Sequence, residues 1–213
     1  MKSISIGLAN PLQFLNPAEG KPARLGILPG SFNPPTRAHC ALAEAALTEV
    51  DQVVLVLPRT FPHKIYEGAD FAQRADMLRV TVDRQSRLMA ATSQGGLFLE
   101  IAAECRAVYG AAVELAFICG RDAAERVVNW PYDDPGTLGR MFDNFHLLVA
   151  SRDGAYDPPA HVRHRIRPLP LASDLDSVSA SEVRRRIRQG APWEHLVPEA
   201  IVPIVRKIYR PPA

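Results

Sequence analysis

Arg24-Leu25-Gly26-Ile27-Leu28-Pro29, followed at once by Gly30-Ser31-Phe32-Asn33-Pro34-Pro35-Thr36-Arg37-Ala38-His39, decides the fold. The first six residues are a short apolar run ending in Pro-Gly, which reads as a buried strand and a turn. Proline is tolerated in the first turn of a helix, and Thr36 is suited to capping one. Residues 38–48 are rich in Ala and Leu and continue as a helix. The unit is strand, loop, helix. Free amides and the positive end of the helix dipole face the loop, which is where a phosphate group binds well.

The same alternation runs outward along the chain. Val53-Val54-Leu55-Val56-Leu57 is a continuous β-branched and leucine run, the pattern of a strand buried on both faces. Residues 70–85 carry Phe71, Ala75, Leu78 and Val82 at helical spacing. A short strand is expected at 88–92 and a helix at 97–108, opened by Gly95-Gly96. Residues 113–119 read as a strand and 121–129 as a helix that stops before Trp130-Pro131. Residues 130–143, rich in Asp, Pro and Gly, read as a surface loop. Strands are expected at 145–150 and within 162–169, and helices at 180–189 and 198–209. Strands alternating with helices predict an α/β fold, a parallel sheet with helices on both faces. A C-terminal helical segment follows it. Residues 1–22 show no clear period and read as an N-terminal extension to a domain spanning 23–213. Ligands of such sheets bind at the carboxyl ends of the strands, near the point where strand order reverses. The loops placed there are 30–36, 58–64, 120–122 and 171–181.

Composition excludes several classes. The 213 residues are 47% hydrophobic and 23% charged, with a net charge of +2. That balance suits one soluble domain and gives no general surface for nucleic acid or membrane. Cys40, Cys105 and Cys119 are odd in number, widely spaced and set in apolar runs, so they read as buried thiols. No signal peptide or membrane-spanning run is seen, and the cytoplasm is the default. His161 and His164 have ligand-like spacing but no carboxylate or cysteine partner, and read as exposed. No residue is assigned to a metal.

Two segments carry chemistry. In the first, His39 lies three residues after Thr36, so imidazole and hydroxyl share one side of the helix. Gly30 is expected to let the backbone approach a phosphate. The plain alternative is a capped helix with a satisfied histidine. In the second, Val178-Ser179-Ala180-Ser181-Glu182-Val183-Arg184, two hydroxyls open a helix and a guanidinium sits one turn in. That set suits a second anion. Arg185 and Arg186 read as a solvated face, while Arg188 shares the face of Arg184. The first loop is neither a Walker A motif nor a Gly-x-Gly-x-x-Gly fingerprint.

Gly30-Ser31-Phe32-Asn33-Pro34-Pro35-Thr36-x-x-His39 resembles the phosphate-binding signature of the nucleotidyltransferase superfamily. Ser179-Ala180-Ser181-x-x-Arg184 resembles its second signature. Pro62-His63-Lys64, Phe71-x-x-Arg74-x-x-Met77-Leu78, Gly120-x-Asp122, Trp130 and Ser151-Arg152 are similar to segments of nicotinate mononucleotide adenylyltransferases. The resemblance implies a Rossmann-like sheet. It also implies transfer of the adenylyl group of ATP to a pyridine mononucleotide, with release of pyrophosphate and no covalent enzyme intermediate. Carried over position by position, Gly30, Ser31, Phe32, Thr36 and His39 would line the ATP phosphates, with His39 stabilising charge at the α-phosphate. Ser179, Ser181 and Arg184 would hold the β- and γ-phosphates. Gly120 and Asp122 would lie near the adenosine ribose. His63, Lys64, Trp130 and Arg152 would face the second substrate. Mg2+ would accompany ATP, mostly through water.

The chain departs from that family at two places. Thr36 stands where the bacterial enzymes usually have histidine. Ser93-Gln94-Gly95-Gly96-Leu97-Phe98 stands where they carry a hydroxyl-rich segment beside the pyridine ring. Nicotinate and nicotinamide mononucleotide both remain open as acceptors. So do a cytidylyl or pantetheine-phosphate type of acceptor and a nucleotide-binding module without catalysis.

Overall fold

Among the described residues six of seven strands run parallel, and their order reverses beside the quoted loop. The computed structural model describes residues 12–16, 20–60, 68–83, 85–150, 156–171, 175 and 177–209. Among them, β1 (Gln13–Phe14), β2 (Arg24–Pro29), β3 (Gln52–Pro58), β4 (Leu88–Ser93), β5 (Glu114–Gly120), β6 (His146–Ala150) and β7 (Ile166–Leu169) form one sheet in the order β1-β4-β3-β2-β5-β6-β7. Only β1 is antiparallel, pairing Gln13 with Thr92 and Phe14 with Ala91. Two residues are too few for a period, so this edge strand left no trace in the sequence pattern.

Each central strand divides its side chains between two cores, as the two-residue period requires. Leu25, Ile27, Val54, Val56, Leu115 and Phe117 face one side. There they meet Ile101, Ala102 and Cys105 of α3 (Phe98–Tyr109), and Ala124 and Val128 of α4 (Arg121–Asn129). Leu28, Val53, Leu55, Leu57 and Ile118 face the other. There they meet Leu42, Ala43 and Ala46 of α1 (Arg37–Ala46), and Leu78 and Val82 of α2 (Phe71–Val82). A third cluster joins Val183 and Ile187 of α6 (Ala180–Arg188) and Val205 of α7 (Val202–Ile208) to Ala38 and Met77.

Residues 130–143 are not a loop throughout. Thr137–Asn144 is a helix, α5, with Met141 and Phe142 buried. Its apolar residues Leu138, Met141, Phe142 and the following Phe145 recur at helical spacing, but Gly136 and Gly139 mask them. Phe145 meets Phe117 in a tilted ring contact, 4.5 Å between centroids, and joins α5 to the core. The strand expected within 162–169 is β7, with Arg163–Arg165 a 3-10 turn ahead of it. The last helix is shorter than expected, with Glu199–Ile201 a 3-10 turn ahead of α7. Cys105 and Cys119 are buried as expected, whereas Cys40 is only half-buried.

Neighbouring strands β2 and β5 are followed by helices on opposite faces, α1 and α4. The crevice between them opens at the carboxyl ends of the strands. Ile27 pairs with Phe117. Gly30 and Gly120 each lie three residues beyond that pair, one on either side of the crevice.

Candidate active site

The β2–α1 loop is shaped by Phe32. This residue has φ of 44° and no exposed surface. Its ring fills the space above Gly30, where an added Cβ would come within 2.9 Å of it. Glycine there makes room for that ring. The Phe32 ring also meets His39 at a centroid distance of 5.1 Å.

His39 is held by Thr36. The Thr36 amide donates to His39 Nδ1 at 3.0 Å, and Thr36 Oγ1 lies 2.8 Å from the same nitrogen. An Nδ1 that accepts an amide N–H carries no proton of its own, so the neutral ring bears its proton on Nε2. That nitrogen is the donor. Thr36 itself is fully buried at the cap of α1. Its side chain supports His39, with Oγ1 turned to the imidazole.

Three side chains distant in sequence grip the loop. Arg74, 4% exposed, donates to the Ser31 carbonyl at 3.2 Å and to the Asp70 carbonyl at 3.3 Å. Arg184 donates to the Asn33 carbonyl, and its Nη2 lies 3.4 Å from Ser181 Oγ. The Tyr209 hydroxyl donates to Asn33 Oδ1. Arg184 thereby joins the second signature to the first. Arg74 came to notice in the sequence only as part of a resemblance, and the role of Tyr209 was not foreseen.

The start of α6 divides its labour. Ser179 Oγ accepts from the Glu182 amide at 3.1 Å and caps the helix, while Ser181 is exposed. Arg185 and Arg186 are both paired with Glu182, at 2.6 and 2.7 Å. These two partners hold the Glu182 carboxyl down at about 2. Arg185 is exposed as expected, whereas Arg186 is half-buried and also donates to the Pro192 carbonyl at 3.0 Å. Across the crevice, Gly120 caps α4 with no side-chain bond, and open space lies where its Cβ would be. Asp122 is exposed in the first turn, and Trp130, at the far end of α4, is 47% exposed. His63, Lys64 and Arg152 lie outside the described residues.

The turn after β4, noted in the sequence only as a departure from the family pattern, is built on two carboxylates. After β4, the amides of Gln94 and Gly95 donate to the Glu104 carboxylate at 2.8–3.1 Å. Those of Gly96 and Leu97 donate to Glu100 at 2.9 and 3.0 Å. Glu104 is 4% exposed, and burial raises its pKa above the usual carboxylate value. Four successive amides are thus occupied by the chain's own carboxylates. Glu100-x-x-x-Glu104, one helical turn apart, is the signal that marks this device.

A cleft of about 1070 Å³ lies between α1, the end of α2 and residues 194–206, and meets the first signature only at Arg37. Among the described residues, no three His, Cys, Asp or Glu side chains are grouped to hold a metal. No described helix is long and apolar enough to cross a membrane.

Comparison with known proteins agrees with this geometry. A relative from Moorella thermoacetica, named "Probable nicotinate-nucleotide adenylyltransferase", is 29% identical over 210 residues, covering 90% of this chain and 94% of that protein. One of the same name from Chromobacterium violaceum is 29% identical, covering 88% of this chain and 99% of that protein. The solved Plasmodium falciparum nicotinic acid mononucleotide adenylyltransferase complexed with NaAD superposes with a TM-score of 0.67 at 15% identity. It covers 86% of this chain and 95% of its own, and shows the shared fold. The cytidylyltransferase-like family model matches residues 27–186, from β2 through the second signature, and the chain belongs to that family.

Proposed function

We propose that this protein is an adenylyltransferase joining the AMP of ATP to nicotinate or nicotinamide mononucleotide, releasing pyrophosphate. The observation that carries this reading is the bond from Arg184 to the Asn33 carbonyl, which brings two phosphate signatures 151 residues apart into one cradle. The names of the relatives favour the nicotinate form.

In this reading His39 Nε2–H donates to the α-phosphate, where negative charge grows as the 5′-phosphate of the acceptor attacks. A neutral donor already aimed by Thr36 and Phe32 needs no reorganisation during the reaction. Ser181 and Arg184 hold the outer phosphates, so the pyrophosphate leaves from a fixed position. The open amides of α4 and the exposed Asp122 face the nucleoside across the crevice. Trp130 offers an aromatic face to the acceptor ring. The side chains of this cradle are neutral or cationic, which suits phosphate oxygens better than a bare metal. Mg2+ would therefore arrive on the triphosphate and keep water ligands, neutralising its charge. A cytoplasmic setting suits an ATP-using enzyme with three free cysteines.

A second reading rests on the wall at 94–97. Amides already bound to Glu104 and Glu100 offer an acceptor few donors, and this favours another phosphorylated acceptor, of cytidylyl or pantetheine-phosphate type. A screen of ATP and CTP against the two pyridine mononucleotides and 4′-phosphopantetheine separates them. Pyrophosphate release with ATP and nicotinate mononucleotide supports the first reading. Release with ATP and nicotinamide mononucleotide supports it equally, and release only with CTP or only with 4′-phosphopantetheine sinks it.

A further inference from the structure

Tyr209 is the last described residue, yet it reaches a loop 176 positions earlier in the chain. It is 8% exposed and packs with the third cluster. Its ring lies against Gly68, whose φ is +96° and where a Cβ would come within 2.8 Å of the ring edge. Its hydroxyl donates to Asn33 Oδ1 and receives the Ala69 amide. Burial raises the phenol far above its ordinary range, so it stays a donor at working pH. Asn33 is itself 4% exposed, and its backbone carbonyl receives Arg184. The side chain and the carbonyl of Asn33 are thus held by two different elements of the C-terminal region. A side chain anchored at Oδ1 holds the Asn33 Cα in place, and the carbonyl it bears is the one on which Arg184 rests.

Resting on the adenylyltransferase reading above, we propose that Tyr209 is a positioning residue for the nucleotide: its hydroxyl fixes Asn33, and Asn33 fixes the guanidinium of Arg184. The C-terminal helical segment then does more than cover the sheet. It completes the triphosphate cradle, because the Tyr209 hydroxyl reaches Asn33 only when α7 is docked.

A double-mutant cycle tests this. Tyr209→Phe keeps the packed ring and removes only the hydroxyl. Its ATP dissociation constant, read by calorimetry, should rise about tenfold, the scale of one buried hydrogen-bond partner lost. In an Arg184→Ala background the same change should cost less than about twofold, because the residue it acts through is gone. Asn33→Ala should repeat both results. The melting temperature of Tyr209→Phe should stay within about 5 °C of the parent, as for a single modest loss. Equal losses in both backgrounds, or unchanged affinity in Tyr209→Phe, overturn the proposal. A parent protein that binds ATP but never turns over contradicts the adenylyltransferase reading and leaves this cycle readable. A folded parent that binds no ATP removes both.

Discussion

His39 carries two tasks on one ring. Nδ1 closes the cap of α1 through the Thr36 amide, and in the proposed reaction Nε2 donates to the α-phosphate. His39→Ala should therefore lower kcat by about 10²–10³-fold, the scale of one lost oxyanion donor. It should also cost about 1 kcal/mol of stability, the scale of a lost cap. Steady-state kinetics and denaturant melts on one preparation check both numbers. The Thr36–His39 contact was legible in sequence because residues three apart on a helix are neighbours. The grip of Tyr209 and Arg184 on Asn33 was not, since nothing local links positions 176 and 151 residues apart. Phe32 was quoted as part of a motif, but its filling of the space over Gly30 depends on its positive φ, which no pattern of side chains announces.

At the scale of elements, the central strands were legible because both faces are buried and their runs are unbroken. Their order was not, because crossover connections can send the next strand to either side. Helix α5 was hidden by its glycines, and β1 by its brevity. The β4–α3 turn is the element where sequence reading saw only a departure from a family pattern. There Glu104 gathers the amides of Gln94 and Gly95 in a buried setting. Glu104→Ala leaves those amides without their partner, which should cost about 1–3 kcal/mol. If this wall lines the acceptor, the same change should raise the KM for the mononucleotide and leave the KM for ATP within twofold of the parent, roughly the noise of additive distant sites. A rise in both KM values together would argue against that placement.

Across the whole molecule the two edges of the sheet do different work. The carboxyl edge holds the signatures, and the amino edge is tied by polar contacts. Arg87 donates to the carbonyls of Asp51, Leu47 and Val50 at 2.8–3.0 Å. Arg87→Ala should lower stability by about 1–2 kcal/mol, given its charged donors and exposed setting. It should leave kcat unchanged, which melts and turnover measured together decide. His146 begins β6 at the same edge. Burial first, and then the neighbouring Arg167 and Arg165, hold its pKa below 6.5 despite Glu114 and Glu49. The unfolded chain then binds the proton more readily, so stability is full above that value and falls as pH drops below it. His146→Gln should flatten the decline in melting temperature between pH 7.5 and 5.5, a window chosen around the histidine range. A decline as steep as the parent's would clear His146 of that role.

All three scales converge on one reaction, and ATP labelled separately at its α- and γ-phosphates reads it directly. With nicotinate mononucleotide, the α-label should appear in the dinucleotide product and the γ-label in pyrophosphate, in equal amounts. Transfer of the γ-label to the acceptor, or no transfer by folded protein with either pyridine mononucleotide, would contradict the account.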